Sequence, residues 1–258
     1  MWPPTDCECD NFHILGETSE LLAVDKPAGL LVHPSKPNGP RTLWDGLREL
    51  LAYEIVNGGQ VSLINRLDRE TSGIVLVAKS GAAARSAAIA MQEGRIRKTY
   101  LALVWGWPPR DAFDSDGPIL RLGEVAPSPI HLKRTVHPSG APANTSFRVL
   151  SRFERVEGRF SLIEASPLTG RTHQIRVHLS HEGFPVVGDK IYGPSDECYL
   201  EFIETGWTPH LNDRLLLPRH ALHSTGMSLD WQGVCLSWLS PLPPDLLAFA
   251  NRLHAPCH

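Results

Sequence analysis

Five consecutive apolar residues, Ile74-Val75-Leu76-Val77-Ala78, follow Thr71-Ser72-Gly73 and end at Lys79-Ser80. The run is short and does not alternate, so it is predicted as a strand buried on both faces. Such a strand needs partners along its edges and a layer over each face, which commits the chain to a covered sheet. The residues just ahead, Asn65-Arg66-Leu67-Asp68-Arg69-Glu70, set one carboxylate between two arginines as the chain enters the core. Two readings of Asp68 stand side by side. It is a salt-bridge partner of Arg66 or Arg69 that fixes the loop, or it is a carboxylate aimed into a cleft.

The surrounding pattern supports an α+β domain with a largely antiparallel mixed sheet, flanked by helices and loops around a central cleft. Residues 14–34 read as strand, turn and strand, broken by Pro27 and Gly29 and closed by Pro34. Thr42 can cap a helix through Leu43, Leu47, Leu50 and Leu51 that stops at Asn57-Gly58-Gly59. A short strand is predicted at 61–64, an alanine-rich helix at 81–94 and a strand at 97–104. Residues 107–129 hold several prolines and glycines and read as an irregular excursion. Segments 145–153 and 159–165 form an expected antiparallel pair turning near Glu157-Gly158. Thr172 is the expected cap of a helix over 172–183, stopped by Gly183 with Pro185 beyond. A helix and loop at 196–218, a strand pair at 221–239 and a helix near 244–253 complete the reading. Residues 1–13 are expected to be a loose segment and 14–258 a single domain.

Charge narrows the classes. The formal net charge is -3, but residues 61–100 carry seven basic against three acidic side chains and residues 130–178 carry eight against three. If these segments fold together they make a positive face on an acidic body, as a polyanion partner requires; otherwise they are solvated charge on the surface. No apolar run approaches the roughly 18 residues of a membrane span, and the first residues lack the pattern of a secretory signal. The five cysteines, Cys7, Cys9, Cys198, Cys235 and Cys257, are scattered and odd in number, which suits free thiols in the cytoplasm. Cys7 and Cys9 near His13 have poor spacing for zinc.

Two further stretches carry chemistry. In Leu168–Leu179, LTGRTHQIRVHL, Arg171 lies at a helix mouth, where backbone N–H groups and a guanidinium favour phosphate. Arg176 falls one turn in, with His173 and Gln174 as uncharged hydrogen-bonding groups beside it. His178 and His181 could ligate a metal, but no placed cysteine or carboxylate completes a shell, so they read as a surface pair. In Arg97–Gly106, RKTYLALVWG, alternation puts Tyr100 on the face of Lys98 and Ala102, opposite Leu101 and Leu103, which are the expected core residues. Tyr100 is then either core or an aromatic platform for a base.

Taken together these stretches resemble the RluA branch of the pseudouridine synthases. The matching motifs are DKPAGLLVHP at Asp25–Pro34, NRLDRETSGIVLVAKS at Asn65–Ser80, KTY at Lys98–Tyr100, PLTGRTHQIRVHLSHEGFPVVGDKIYG at Pro167–Gly193 and, more weakly, RHALHS at Arg219–Ser224. Asn65 stands where that family usually has histidine, and the familiar part begins near residue 14, which leaves no room for the N-terminal S4-type domain that some relatives carry. The resemblance implies isomerisation of uridine to pseudouridine in ribosomal or transfer RNA, with no metal and no cofactor, by a monomeric cytoplasmic enzyme. It implies Asp68 as the catalytic carboxylate, Arg176 as its ion-pair partner and Tyr100 as the ring that stacks on the flipped base. Arg66, Arg69, Lys98, Arg171, His173 and Gln174 would bind RNA and position the loop. Two other classes remain: a non-catalytic RNA-binding or RNA-folding factor of the same fold, and a metal-dependent hydrolase built on His173, His178, His181, His220 and His223.

Overall fold

The computed structural model describes residues 12–34, 36 and 39–251; Cys7, Cys9 and Cys257 lie outside the described residues. In chain order the first elements are β1 (His13–Glu17), β2 (Leu21–Lys26), α1 (Leu43–Leu50), α2 (Ala52–Val56), β3 (Ser62–Leu63), β4 (Ser72–Ala78) and α3 (Gly81–Gln92). Next come β5 (Ile96–Trp105), β6 (Ala112–Ser115), β7 (Ile119–Arg121), β8 (Arg134–Val136), β9 (Thr145–Arg155) and β10 (Gly158–Pro167). The last are α4 (Gln174–His181), α5 (Glu197–Thr205), α6 (Pro209–Leu215), β11 (Leu222–Trp231), β12 (Val234–Leu239) and α7 (Pro244–Asn251). The class is α+β with mostly antiparallel pairing. Within the span expected as one domain, the described chain forms two compact units, an N-terminal unit of residues 12–98 and 223–241 and a central unit of 99–222 and 242–251.

In the N-terminal unit the strand order is β1-β2-β4-β11, with β12 paired to β11 and β3 to β4. β4 is the strand expected from the apolar run, and every residue from Ile74 to Ala78 is fully buried. Ile74, Leu76 and Ala78 pack in one cluster with Ala83, Ala87 and Ala90 of α3. That spacing of three and four residues puts small side chains on one helix face, so α3 lies close on the sheet. Ser80 caps α3 through Ala83 N–H, and Thr42 with Asp45 forms a capping box on α1.

β2 pairs with β4 from Gly73 to Ala78. The opposite edge of β4 is shared: β3 takes Val77 and Ala78, and β11 takes Ser72 and Gly73 in parallel register. Ile74 O, Leu76 N and Leu76 O would be stranded between these two short pairings. The Asn65 side chain fills most of the gap, donating to Ile74 O at 3.1 Å and accepting from Leu76 N at 2.8 Å, while Ile64 N donates to Leu76 O at 2.8 Å. A carboxamide can do this because it carries a donor and an acceptor side by side, as a peptide does.

The central unit has the strand order β5-β10-β9-β6 and a separate ribbon, β7-β8. β9 and β10 form the expected hairpin, with Arg155 paired to Gly158. Phe153 and Phe160 of that hairpin pack against Phe249 of α7. The region expected as irregular contains β6 and β7, which are too short for periodicity to reveal. Residues 197–215 form two helices, not one, with Cys198, Leu211 and Leu215 buried between them.

Gly73 lies hard against the backbone of Ser224 on β11. Its φ is 109°, and a Cβ there would lie 2.2 Å from Ser224 O and 2.7 Å from Ser224 N. Gly73→Ala is expected to cost on the order of 3 kcal/mol or more, by steric overlap and backbone strain together. Gly94→Ala, at φ 69° with nothing within 4 Å, is the control and should cost about 1–2 kcal/mol. Urea unfolding of both variants checks the difference.

Candidate active site

Asp68 lies half-buried on the loop between β3 and β4. The loop is clamped from several directions. Asn65 pins its start to β4, as above, and Leu67 is buried. Thr71 N donates to Asp68 O at 3.1 Å, closing a tight turn. Lys26 is fully buried at the end of β2, and its ammonium donates to Pro27 O, Leu30 O and Arg69 O at 2.8, 2.9 and 3.2 Å. Three carbonyls match the three protons of an ammonium. Arg69 and Gly29 then exchange two bonds: Gly29 N donates to Arg69 O at 2.8 Å and Arg69 Nε donates to Gly29 O at 3.0 Å. The turn of the DKPAGLL motif and the arginine after Asp68 therefore hold each other. Arg66 and Arg69 are both exposed.

Behind the loop, Ser72 Oγ meets His223 Nδ1 at 2.9 Å, and His223 Nε2 donates to Ser240 O at 3.1 Å. Ser240 Oγ in turn donates to Asp25 Oδ2 at 2.8 Å. This chain runs from the Thr-Ser-Gly turn through RHALHS to the first motif, so three stretches distant in sequence meet under the loop.

In the central unit α4 begins at Gln174, and its N-cap is His173 in the left-handed region at φ 59°. The expected cap, Thr172, does not serve. Gln174 organises the helix mouth instead: its Oε1 accepts from Thr169 Oγ1 at 2.6 Å and Arg171 N at 3.0 Å, and its amide donates to Asn144 O at 2.9 Å and Thr145 Oγ1 at 3.0 Å. Arg171 is exposed, with Nε on Pro142 O at 3.0 Å. His173 Nδ1 bonds the Tyr192 hydroxyl at 2.8 Å.

Arg176 is 4% exposed and grips Asp189, itself fully buried, through Nε–Oδ2 at 2.6 Å and Nη2–Oδ1 at 2.8 Å. Its guanidinium carbon lies 5.0 Å from the Tyr192 ring centre. Asp189 Oδ1 also accepts from Ile191 N and Tyr192 N at 3.0 and 3.1 Å. Burial by itself pushes the Asp189 carboxyl up, but the Arg176 charge and hydrogen bonds outweigh that, with His220 adding to them, and hold it far below the usual carboxylate range. Sequence reasoning gave Asp189 no role. Its signal was a lone acid in the apolar stretch FPVVGDKIYG, which demands a buried partner.

Tyr100 is 7% exposed and sits opposite Ala165 on β10. Leu103 is buried as expected, whereas Leu101 is only partly buried. The alternation rule misjudged Leu101 because it assumes one wet face; Tyr100 and Ala102 on its opposite face are buried too. Lys98 is half-buried, and burial lowers its amine below the usual lysine range. His178 is no surface residue. It is fully buried, with Nδ1 on Thr145 Oγ1 and Nε2 donating to Gly117 O, both at 2.9 Å. His181 is exposed. Among the described residues no group of three or more His, Cys, Asp or Glu is arranged to hold a metal.

The basic residues of 130–178 are largely paired. Arg148 meets Glu164, Arg152 meets Asp111, Arg155 meets Glu157 and Lys133 meets Asp196. On the β9–β10 hairpin, charge is therefore mostly a solvated, compensated surface.

The family model for RNA pseudouridylate synthase matches residues 20–181. Ribosomal large subunit pseudouridine synthase D of Nitrosomonas europaea is 38% identical over 244 residues, covering 93% of this chain and 64% of that protein. An uncharacterized RNA pseudouridine synthase of Chloroflexus aurantiacus is 38% identical over 239 residues, covering 89% and 65%. The chain thus spans just under two thirds of these two relatives. Among solved structures, Human RNA Pseudouridylate Synthase Domain Containing 1 is 27% identical with a TM-score of 0.69, over 95% of this chain and 89% of that one. The fold is that of the pseudouridylate synthases. The chain belongs to the RNA pseudouridylate synthase family, in its RluA branch.

The Arg176–Asp189 pair should behave as a buried ion pair. Asp189→Asn is expected to cost about 3–5 kcal/mol at neutral pH, because it leaves a buried guanidinium uncompensated. The folded carboxyl titrates below its unfolded value, so its contribution is complete above about pH 5 and fades only as pH falls through about 3.9 toward the lower folded value. Denaturant unfolding of wild type and variant between pH 3 and 8 should show a gap that is constant above pH 5 and narrows below it.

Proposed function

We propose that this chain converts uridine to pseudouridine in ribosomal or transfer RNA, as a cytoplasmic monomer forming one catalytic domain over residues 14–258 that needs no metal or cofactor. The observation that carries the reading is the anchoring of the Asp68 loop. Lys26, Gly29, Asn65 and Thr71 fix the main chain around one carboxylate. The names of the relatives make large-subunit ribosomal RNA the first substrate to test.

In the proposed reaction the N1–C1′ bond of a flipped uridine breaks, the base turns, and C5 bonds C1′; the proton leaving C5 is balanced by one gained at N1. Asp68 acts on the sugar as an ionised carboxylate, either at C1′ or on the 2′ proton. Arg176, preset by Asp189 and Tyr192, keeps that carboxylate charged when RNA excludes water. Tyr100 stacks on the extruded base and assists proton movement at C5. Arg66, Arg69, Lys98 and Arg171 hold the RNA backbone, and His173 and Gln174 shape the Arg171 loop from within. No helix among the described residues is long and apolar enough to cross a membrane.

Asp68→Asn should abolish single-turnover conversion of large-subunit ribosomal RNA while leaving RNA affinity within about threefold, since affinity comes mainly from phosphates. Turnover within about tenfold of wild type would remove Asp68 from the chemistry. Wild-type protein that binds RNA but forms no pseudouridine in ribosomal or transfer RNA would leave the non-catalytic factor. Tyr100→Phe should lower single-turnover rate by about 10²–10⁴ with its melting temperature preserved; near-normal turnover would limit Tyr100 to stacking.

A further inference from the structure

In the β7–β8 ribbon Arg121 and Arg134 stand directly opposite each other, and Ile119 and Val136 form the neighbouring opposed pair on the same face. Ile119 is buried in a cluster with Val177 of α4 and Tyr192, and Val136 packs against it. The two arginine stems therefore leave the ribbon on the side that turns toward α4. The Arg134 backbone N–H donates to the Tyr192 hydroxyl at 3.0 Å, the same hydroxyl that meets His173.

Like charges directly opposed across a ladder are destabilising. Here the cost is compounded. Among the described residues three buried side-chain nitrogen or oxygen atoms have no hydrogen-bond partner, and two of them are Arg121 Nε and Arg134 Nε. Such groups in a folded protein take an ordered water, an ion or a ligand as partner. The neighbours do not meet the need. Glu124 reaches Arg121 Nε only at 3.6 Å, an ion-pair distance too long for a hydrogen bond. His131 Nε2 lies 3.1 Å from Arg121 Nη1 and must accept there, since guanidinium only donates. Lys133, next along the chain, is already engaged by Asp196. The Arg121 side chain is 37% exposed, so solvent reaches its outer end, which borders a hollow lined also by Glu124, Ser128 and His131.

We propose that Arg121 and Arg134 form a clamp for one phosphate of the RNA backbone. This rests on the RNA reading above and adds a binding site to it. Two guanidiniums on one face of a ribbon offer paired N–H forks to phosphate oxygens. The anion would remove the repulsion and satisfy the stranded Nε groups once the side chains swing toward it.

The test is fluorescence anisotropy with a labelled stem-loop transcribed from large-subunit ribosomal RNA, across a potassium chloride series, on full-length Arg121→Gln, Arg134→Gln and the double variant. Each single change should weaken binding about tenfold, the loss of one charge-assisted contact, and reduce the salt slope by about one. The double variant should lose less than the product of the two, because both side chains hold one phosphate. Arg121→Lys should keep the salt slope and recover only part of the affinity, since an ammonium cannot fork. Melting temperature should stay level or rise, because a repelling pair is removed. Affinity within twofold of wild type in both singles would overturn the clamp, as would weaker binding accompanied by a fall in melting temperature. The readout is independent of catalysis. An inactive wild type whose Arg variants bind tenfold more weakly would sink the synthase reading and keep the clamp. An active wild type with normally binding variants would do the reverse.

Discussion

Much of the N-terminal unit depends on how one buried strand completes its hydrogen bonds. β4 is apolar on both faces and covered on both, so no water reaches the peptide groups along it. An unpaired peptide group there would cost about 1–3 kcal/mol. One edge is satisfied by β2. The other is assembled from β3, one asparagine side chain and the parallel start of β11. Because Asn65 stands in for a strand residue, the chain leaves the sheet at that point and returns at Ser72. The loop carrying Asp68 is the outcome of that departure. Histidine at position 65 could not offer the same adjacent donor and acceptor.

The same economy of partners governs the central unit. A buried guanidinium is tolerable only when its charge and its planar N–H groups are met together. Asp189 meets the charge and one edge of Arg176, and Tyr192 lies against its face. Asp189 also accepts from two backbone amides, so the turn at 189–192 and α4 fold as one piece. The long fourth motif is thus a single mechanical unit in which Gln174 fixes the helix mouth and Asp189 fixes the body. Arg171, at the mouth, is left at the surface, while Gln174 and Thr145 beneath it are buried.

Charge on this protein is sorted by geometry more than by count. The arginines of β9 and β10 have carboxylates across the strand or one turn away, and their contribution to any long-range field is small. The arginines of β7 and β8 also face one another, with Glu124 at ion-pair distance from Arg121. A charge tally over residues 130–178 counts Arg134 like the hairpin arginines and leaves out Arg121, which stands opposite it across the ribbon.

The sequence by itself determined the strands and helices whose patterns run for a full period: β4 from its unbroken apolar run, α3 from its alanine face, the β9–β10 hairpin from its turn, and α1 from its capping threonine. It also singled out the family motifs, because each packs many side-chain demands into a short stretch. Tertiary structure decided what those motifs hold on to. That Asn65 would complete a sheet edge, that Lys26 would be buried under three carbonyls, that His178 would be interior and that Asp189 would take Arg176 all depend on which groups meet across dozens of residues. Local periodicity carries burial and turn propensity, which act between neighbours in the chain. Partner choice for a buried polar group is set by whatever the fold brings within about 3 Å of it, and that distance exists only once the fold is made.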